Sequence, residues 1–319
     1  MPLGDPLVSI RCTVYNHEPF LRQCLDGFVM QQTTFPYEAI VHDDASTDRS
    51  AAIIREYAER YPDIIKPIYE TENQYRKGTI GGIMDAVMHP ASKYIALCEG
   101  DDYWTDPLKL QKQIDFLESH PDYVLCCGNH YLYHQDTDEM EKMPVYDWVF
   151  VNEYKDDLFF NITLNNYFDH WWIRTLTAVY RRHDYRSEVV KKGYSSIRDD
   201  VFYYTVLSHG KGALLRDVLG VYRLNENGVW AGNDKTDNYR IAINHAFQIR
   251  DIEGDHKAYL KTRSFTLKLL NELNARGEKN YLWRELKNYY DQVPFSEFLK
   301  LITAIARDHL SGMYHQLTR

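Results

Sequence analysis

Leu97-Cys98-Glu99-Gly100-Asp101-Asp102-Tyr103-Trp104 closes the apolar run Tyr94 to Cys98 with three carboxylates in four positions. A short continuous apolar run is what a parallel strand covered on both faces looks like. The acids therefore sit at a strand's carboxyl end, where open α/β sheets place ligands and where hard cations and phosphate oxygens are gathered. The competing reading is an acidic turn ahead of the next helix, since Thr105-Asp106-Pro107 is a good helix start.

The N-terminal region repeats the pattern. Leu7 to Val14 reads as a strand, followed by Tyr15-Asn16-His17-Glu18-Pro19 and a helix marked by Phe20, Leu21, Cys24, Leu25 and Phe28. A second strand, Ala39-Ile40-Val41, runs into His42-Asp43-Asp44-Ala45-Ser46-Thr47-Asp48. Ser46 is placed to cap the helix carrying Ile53, Ile54, Tyr57 and Ala58, with Asp48 at its positive end. Alternation of strand and helix to about residue 120 favours right-handed crossovers and a mainly parallel sheet. Further on, residues 134 to 170 lack periodicity, Thr175 to Tyr180 returns to strand, Asp199 to Leu207 reads as a helix, and Ala213 to Leu224 as strand.

Four stretches in this order, VSIRCTVYNHEPFLRQCL (residues 8–25), AIVHDDASTDRS (39–50), YIALCEGDDYW (94–104) and IRDDVFYYTV (197–206), resemble the family 2 inverting glycosyltransferases of the GT-A fold. The resemblance covers roughly residues 5 to 230. It implies an α/β, Rossmann-like sheet flanked by helices, a nucleotide-sugar donor, a divalent cation and no covalent enzyme intermediate. It places Thr13, Tyr15 and Glu18 in the nucleotide pocket and gives Asp44 a hydrogen bond from the base. A carboxylate acceptor opposite an imide N–H favours uracil, hence a UDP-sugar. Asp102 matches the metal position and Asp101 the one that contacts ribose or metal. Glu99 stands where many relatives carry Asp. Oxygen ligands suit Mn²⁺ or Mg²⁺ equally, and the cation would stabilise the charge developing on a diphosphate leaving group.

By the same resemblance Asp200 is the general base that deprotonates the acceptor hydroxyl, with Asp199 its neighbour. Burial and nearby carboxylates are expected to raise its pKa. Capping of a helix by this acidic pair is the plainer alternative. Arg76 and Lys77 read either as a cationic loop near the diphosphate or as a solvated turn. Arg223, in Tyr222-Arg223-Leu224-Asn225, can offset phosphate charge, but Asn225 stands where relatives often carry His. Asn227 to Trp230 reads as a loop closing over the donor, and Trp171 and Trp172 as sugar-stacking or core residues. The thirteen histidines form no spaced ligand set.

Composition sets outer limits. The 319-residue chain is 44% hydrophobic, enough for a sizeable core, and its net charge of −9 argues against a nucleic-acid surface. Five cysteines, an odd number without metal-site spacing, read as buried reduced thiols. No stretch is apolar and long enough to span a bilayer, so a cytoplasmic chain is expected, peripheral at most at the inner face of the plasma membrane. Helical periodicity marks Tyr259 to Leu273, Tyr281 to Tyr290 and a last helix ending near Gly312. Residues 255–319 carry about +4, a charge suited to an anionic lipid surface or a lipid-linked acceptor, or simply to an ordinary helical surface. The division expected is a catalytic domain over residues 1–230 and a helical extension over 231–319.

The expected reaction is transfer of a sugar to a hydroxyl of a glycan or lipid-linked acceptor, in the building of a bacterial surface polysaccharide. A nucleotidyltransferase would share the sheet and the acids but add a glycine-rich phosphate loop, which is absent from the sequence. A non-catalytic nucleotide-sugar-binding protein would not need both Asp102 and Asp200.

Overall fold

The computed structural model describes residues 4–142, 158–169, 172–224 and 234–317. The chain divides into two compact units, residues 1–190 with 202–225 and residues 191–201 with 226–319.

The first unit is built on one sheet. Its strands are β1 (Val8–Val14), β2 (Tyr37–Asp43), β3 (Ile65–Tyr69), β4 (Tyr94–Leu97), β5 (Tyr103–Trp104), β6 (Tyr123–His134), β7 (Glu139–Lys142), β8 (Phe159–Ile162), β9 (Val179–Arg181) and β10 (Lys211–Leu224). The order across the sheet is β3-β2-β1-β4-β9-β6-β10-β5, with β7 beside β6 and β8 beside β10. The run β3-β2-β1-β4 is parallel, and β6 is parallel to β10. Strand β9 sits antiparallel between β4 and β6, so the parallel doubly wound half passes into a mixed half. Thr175 to Thr177, expected as strand, forms a 3₁₀ turn that leads into β9.

Helices α1 (Leu21–Val29), α2 (Ser50–Arg60), α3 (Gln74–Lys77), α4 (Ile80–Val87) and α5 (Lys109–Ser119) connect the early strands. The core they close includes Val8, Ile10 and Cys12 of β1, Leu21, Cys24 and Phe28 of α1, and Ile53, Ile54 and Tyr57 of α2. Burial of side chains this size stabilises by roughly 1.5–3 kcal/mol apiece. All five cysteines are buried and free of disulfides. Two capping expectations need correction. Ser46 does not cap α2; the N-cap is Arg49 without a side-chain cap bond, and Asp48 supports this end by accepting from the Ser50 N–H at 2.9 Å. Helix α5 starts at Lys109 rather than at Pro107, because Asp106 folds back to accept from the Leu108 N–H at 2.8 Å.

Helix α6 (Tyr185–Lys191) follows β9, and α7 (Asp199–Leu207) begins at the acidic pair. The second unit continues with α8 (Lys235–Glu253), α9 (Ala258–Ala275), α10 (Lys279–Gln292) and α11 (Phe295–Leu317) around Phe247, Leu270, Tyr289 and Leu301. Helix α11 continues through Gly312, where the sequence suggested a stop; a single glycine weakens a helix by only about 1 kcal/mol. Among the described residues no helix is long and apolar enough to cross a membrane.

Candidate active site

The carboxyl ends of β1, β2 and β4 lie side by side in the parallel register, so the polar residues that follow them are delivered to one edge of the sheet. Two loops form the rim, and they are riveted to each other. The Asn16 N–H donates to Ser46 Oγ at 2.9 Å, and the Thr47 N–H returns a bond to Asn16 Oδ1 at 2.8 Å. The Glu18 N–H donates to Asp48 Oδ2 at 2.9 Å, and Glu18 Oε2 accepts from the Arg49 N–H at 3.0 Å. Asn16 and Ala45 hold positive φ, 55° and 61°, in these loops. For alanine that conformation costs of order 1 kcal/mol and persists only because the surroundings enforce it.

Thr13 and Tyr15 stand at this edge, partly exposed, while Glu18 is committed to the start of α2. Asp44 is 1% exposed and uses both carboxylate oxygens on the backbone of α3, accepting from the Gln74 N–H at 2.6 Å and the Tyr75 N–H at 3.0 Å. Its neighbour Asp43 is also buried, yet Asp43 Oδ1 has no hydrogen-bond partner, and burial raises its pKa. His17 Nδ1 is a second enclosed atom without a partner. Burial lowers the His17 pKa against the opposing pull of Asp101, Asp48 and Asp43. Orphaned buried polar atoms cost roughly 1–3 kcal/mol each, and among the described residues both of these lie at the edge where the strand ends converge. Neither residue was singled out in the sequence, although both lie inside the motifs quoted above.

The acids of the third strand end form a cluster. Glu99, Asp101 and Asp102 offer carboxylate oxygens within 4.8 Å of one another, graded from exposed through half-buried to buried. Gly100 is needed between them, since a Cβ there would lie 2.8 Å from His17 Nδ1 and 2.9 Å from Val14 Cγ2. Asp102 is 2% exposed, and burial, then Asp101, then Glu99 push its pKa well above the usual carboxylate range. The Arg223 N–H gives partial relief, donating to Asp102 Oδ1 at 2.8 Å. A buried carboxylate crowded by two like charges and facing oxygen donors fits a hard divalent cation.

Arg223 is buried, and each of its three guanidinium nitrogens donates one hydrogen bond within the protein. Its Nε donates to the Asp101 carbonyl at 2.9 Å, and its two amino groups to Gln135 and Gln23 at 2.6 and 2.7 Å. The guanidinium also lies 4.7 Å from the Phe20 ring centroid. It clamps the Asp101-Asp102 turn. Under that turn, Trp104 donates from Nε1 to the Leu176 carbonyl at 2.6 Å and meets Phe28 edge-on at 4.9 Å. Arg76 and Lys77 are exposed on α3, and Lys77 pairs with Glu72. Trp172 is buried in the core, its Nε1 donating to the Asn166 carbonyl. Trp171, Asn225 and the Asn227 to Trp230 loop lie outside the described residues.

Asp200 belongs to the second unit and is 5% exposed. One carboxylate oxygen lies 2.9 Å from His245 Nδ1 and accepts from the Val201 N–H, and the other lies 3.4 Å from Lys261 Nζ. His245 Nε2 in turn lies 2.7 Å from Ser196 Oγ. Burial alone would raise the Asp200 pKa, but Lys261 and His245 outweigh it and hold the group well below its ordinary value. That reverses the shift expected from the sequence, because the partners that set it lie 45 and 61 residues away. Asp199, one position earlier, is exposed.

The comparisons follow the geometry. The family model "Glycosyl transferase family 2" matches residues 9–182, more than half of the chain. An uncharacterized protein of Mycobacterium tuberculosis is 36% identical over 229 residues, 70% of this chain and 60% of that relative, so the chain spans about three fifths of its length. Among solved structures, S. aureus TarS 1-349 in complex with UDP-GlcNAc has a TM-score of 0.63 at 15% identity, covering 96% of this chain and 92% of that one. The mannosyltransferase PcManGT from Pyrobaculum calidifontis, in complex with GDP-Man and Mn²⁺, has a TM-score of 0.53 at 16% identity, over 96% of this chain and 82% of that one. At these identities the two structures speak for the fold, which is the GT-A arrangement anticipated from the motifs.

Proposed function

Because the chain belongs to glycosyl transferase family 2, and is thereby a glycosyltransferase, we propose that it moves a sugar from UDP to a hydroxyl of a glycan or lipid-linked acceptor, with inversion and with help from Mn²⁺ or Mg²⁺. The observation that carries this reading is Asp102: a carboxylate that is buried, crowded by Asp101 and Glu99, and only partly compensated by one backbone N–H. Asp101 and Asp102 would hold the cation, Glu99 reaching it directly or through water. The bound ion would stabilise charge on the departing diphosphate as a Lewis acid. The two fold neighbours are complexes with UDP-GlcNAc and GDP-Man, which supports a nucleotide-sugar donor.

The chain's own groups then have distinct tasks. Thr13, Tyr15, His17 and the Asp43–Asp44 pair would line the nucleotide side. Arg223 keeps the acidic turn in place. Asp200 is the proposed proton acceptor for the acceptor hydroxyl. Its lowered pKa favours a second reading, in which Asp200 is a fixed anion and the exposed Asp199 takes the proton. The exposed Trp283, Phe295 and Leu299 on α10 and α11, beside the excess of Lys and Arg, support a peripheral contact with anionic membrane.

Donor turnover with and without acceptor tests the reaction, and NMR of the product its stereochemistry. An α-linked donor is expected to give a β-linked product. Asp200→Asn is expected to lower kcat by about a hundredfold to ten-thousandfold with donor affinity near wild type. Retained anomeric configuration would overturn inversion, and a larger loss in Asp199→Asn than in Asp200→Asn would move the base by one residue.

A further inference from the structure

The first unit carries a second group of metal-ligating side chains, built from different donors and different elements. His183 follows the end of β9, Glu188 lies one turn into α6, and His209 sits in the turn that ends α7, its N–H bonded to the Val206 carbonyl. Their ligand atoms all lie within 4.8 Å of one another. His209 Nε2 is 2.7 Å and His183 Nε2 3.8 Å from the same oxygen, Glu188 Oε2. Buried Tyr185 supports both rings edge-on, at 4.9 Å from His183 and 5.3 Å from His209. Sequence spacing hid this set, because only the fold brings position 209 to position 183.

An ordinary surface ion pair accounts for one imidazole but not two. The ring centroids of His183 and His209 are 4.7 Å apart, and both Nε2 atoms face the same carboxylate oxygen. The end of α7 adds the negative pole of a helix dipole, which favours a cation. The three side chains keep 51%, 26% and 35% exposure, leaving one side open to solvent.

We propose that His183, Glu188 and His209 bind a Zn²⁺ ion, with water in the fourth position. Two imidazole nitrogens and one carboxylate oxygen suit a borderline transition metal, whereas the oxygen-only cluster of Glu99, Asp101 and Asp102 suits Mn²⁺ or Mg²⁺. The chain thus sorts two metals by donor chemistry. The ion acts as a staple: it ties position 188 to position 209, across the stretch that leaves the first unit at residue 191 and returns at 202. Neither ion depends on the other, and the assignment does not rest on the proposed reaction.

The test uses the full chain, stripped with chelator and titrated with Zn²⁺ against a chromophoric competitor, with Co²⁺ as a spectroscopic probe. One Zn²⁺ per chain is expected, with a rise in thermal midpoint by mass action and the intense visible absorption of four-coordinate Co²⁺. His183→Gln and His209→Gln should each weaken Zn²⁺ by at least roughly tenfold and abolish the thermal shift. Asp102→Asn should leave both intact. Zn²⁺ binding unchanged in the two histidine variants, or lost in Asp102→Asn, would overturn the assignment, as would weak octahedral Co²⁺ absorption.

Discussion

Asp102 and Asp200 are both aspartates with at most 5% exposure, yet their surroundings push them in opposite directions. Around Asp102 stand two more carboxylates and one backbone N–H; around Asp200 stand a lysine, a histidine and a backbone N–H. For the first, burial and two like charges outweigh the Arg223 guanidinium, whereas for the second the partners on α8 and α9 outweigh burial. The difference teaches how to read a buried acid. A compensated carboxylate is held by the protein, whereas an uncompensated one holds a place for a cation that arrives with the ligand.

That contrast breaks most visibly at the cation. Asp102→Asn keeps an oxygen for the Arg223 N–H but removes the charge, so metal-dependent turnover is expected to fall by about two to three orders of magnitude. UDP should then stabilise the variant equally in Mn²⁺ and in chelator, where the wild type responds more with Mn²⁺. Thermal shifts in the four conditions measure this, and a surviving Mn²⁺ increment in the variant would remove Asp102 from the ligand set.

Lys261→Met probes the other acid. Removing one partner of a buried pair costs about 3–5 kcal/mol, so the denaturant midpoint should drop with the slope unchanged. The activity optimum should also move to higher pH, because Asp200 loses the charge that keeps its pKa low. A variant as stable as wild type would mean that Lys261 does not compensate Asp200.

The gentlest test compares slopes with pH. Asp102 has its folded pKa raised above the ordinary 3.8, so metal-free stability is lost as pH climbs from there through the folded value. Asp200 has its folded pKa lowered, so its contribution is present above 3.8 and is lost as pH falls toward the folded value. While only one state holds the proton, each slope approaches ~1.4 kcal/mol per pH unit. Asp102→Asn should therefore gain on wild type as pH rises, and Asp200→Asn should fall behind it. Saturating Mn²⁺ with UDP should cancel the first trend and leave the second. Parallel curves for either variant would contradict the assigned shift.

How much of this was legible in the sequence depends on distance along the chain. The strands ending at Val14, Asp43 and Leu97 could be read because burial on both faces leaves a continuous apolar signature, and the acids beyond them followed. The family could be read because four motifs keep their order on those ends. Partners remote in sequence could not: nothing near Asp200 announces His245 or Lys261, and nothing near His183 announces His209. The resemblance alone gave Asp44 a hydrogen bond from the base, and nothing near it in sequence announces that the backbone of α3, thirty residues on, donates to both its oxygens. Arg223 looked like a phosphate ligand because it is cationic, and Gln23 and Gln135 show it is a clamp. Ser46 is not the cap of α2 because its hydroxyl takes the remote Asn16 N–H instead.

The riveted loops at Asn16 to Glu18 and Ser46 to Arg49 carry a kinetic meaning. A rim that must order on ligand arrival adds a folding step to every encounter and subtracts conformational entropy from every complex. Here each loop already fixes the other through reciprocal bonds, and Ala45 is kept in a left-handed turn it would abandon if released. A donor bound as proposed therefore meets a finished mould at this edge. Residence time is then set by how fast the nucleotide breaks its own contacts there, and cutting one rivet, as in Asn16→Ala, shows first as slower capture of the nucleotide.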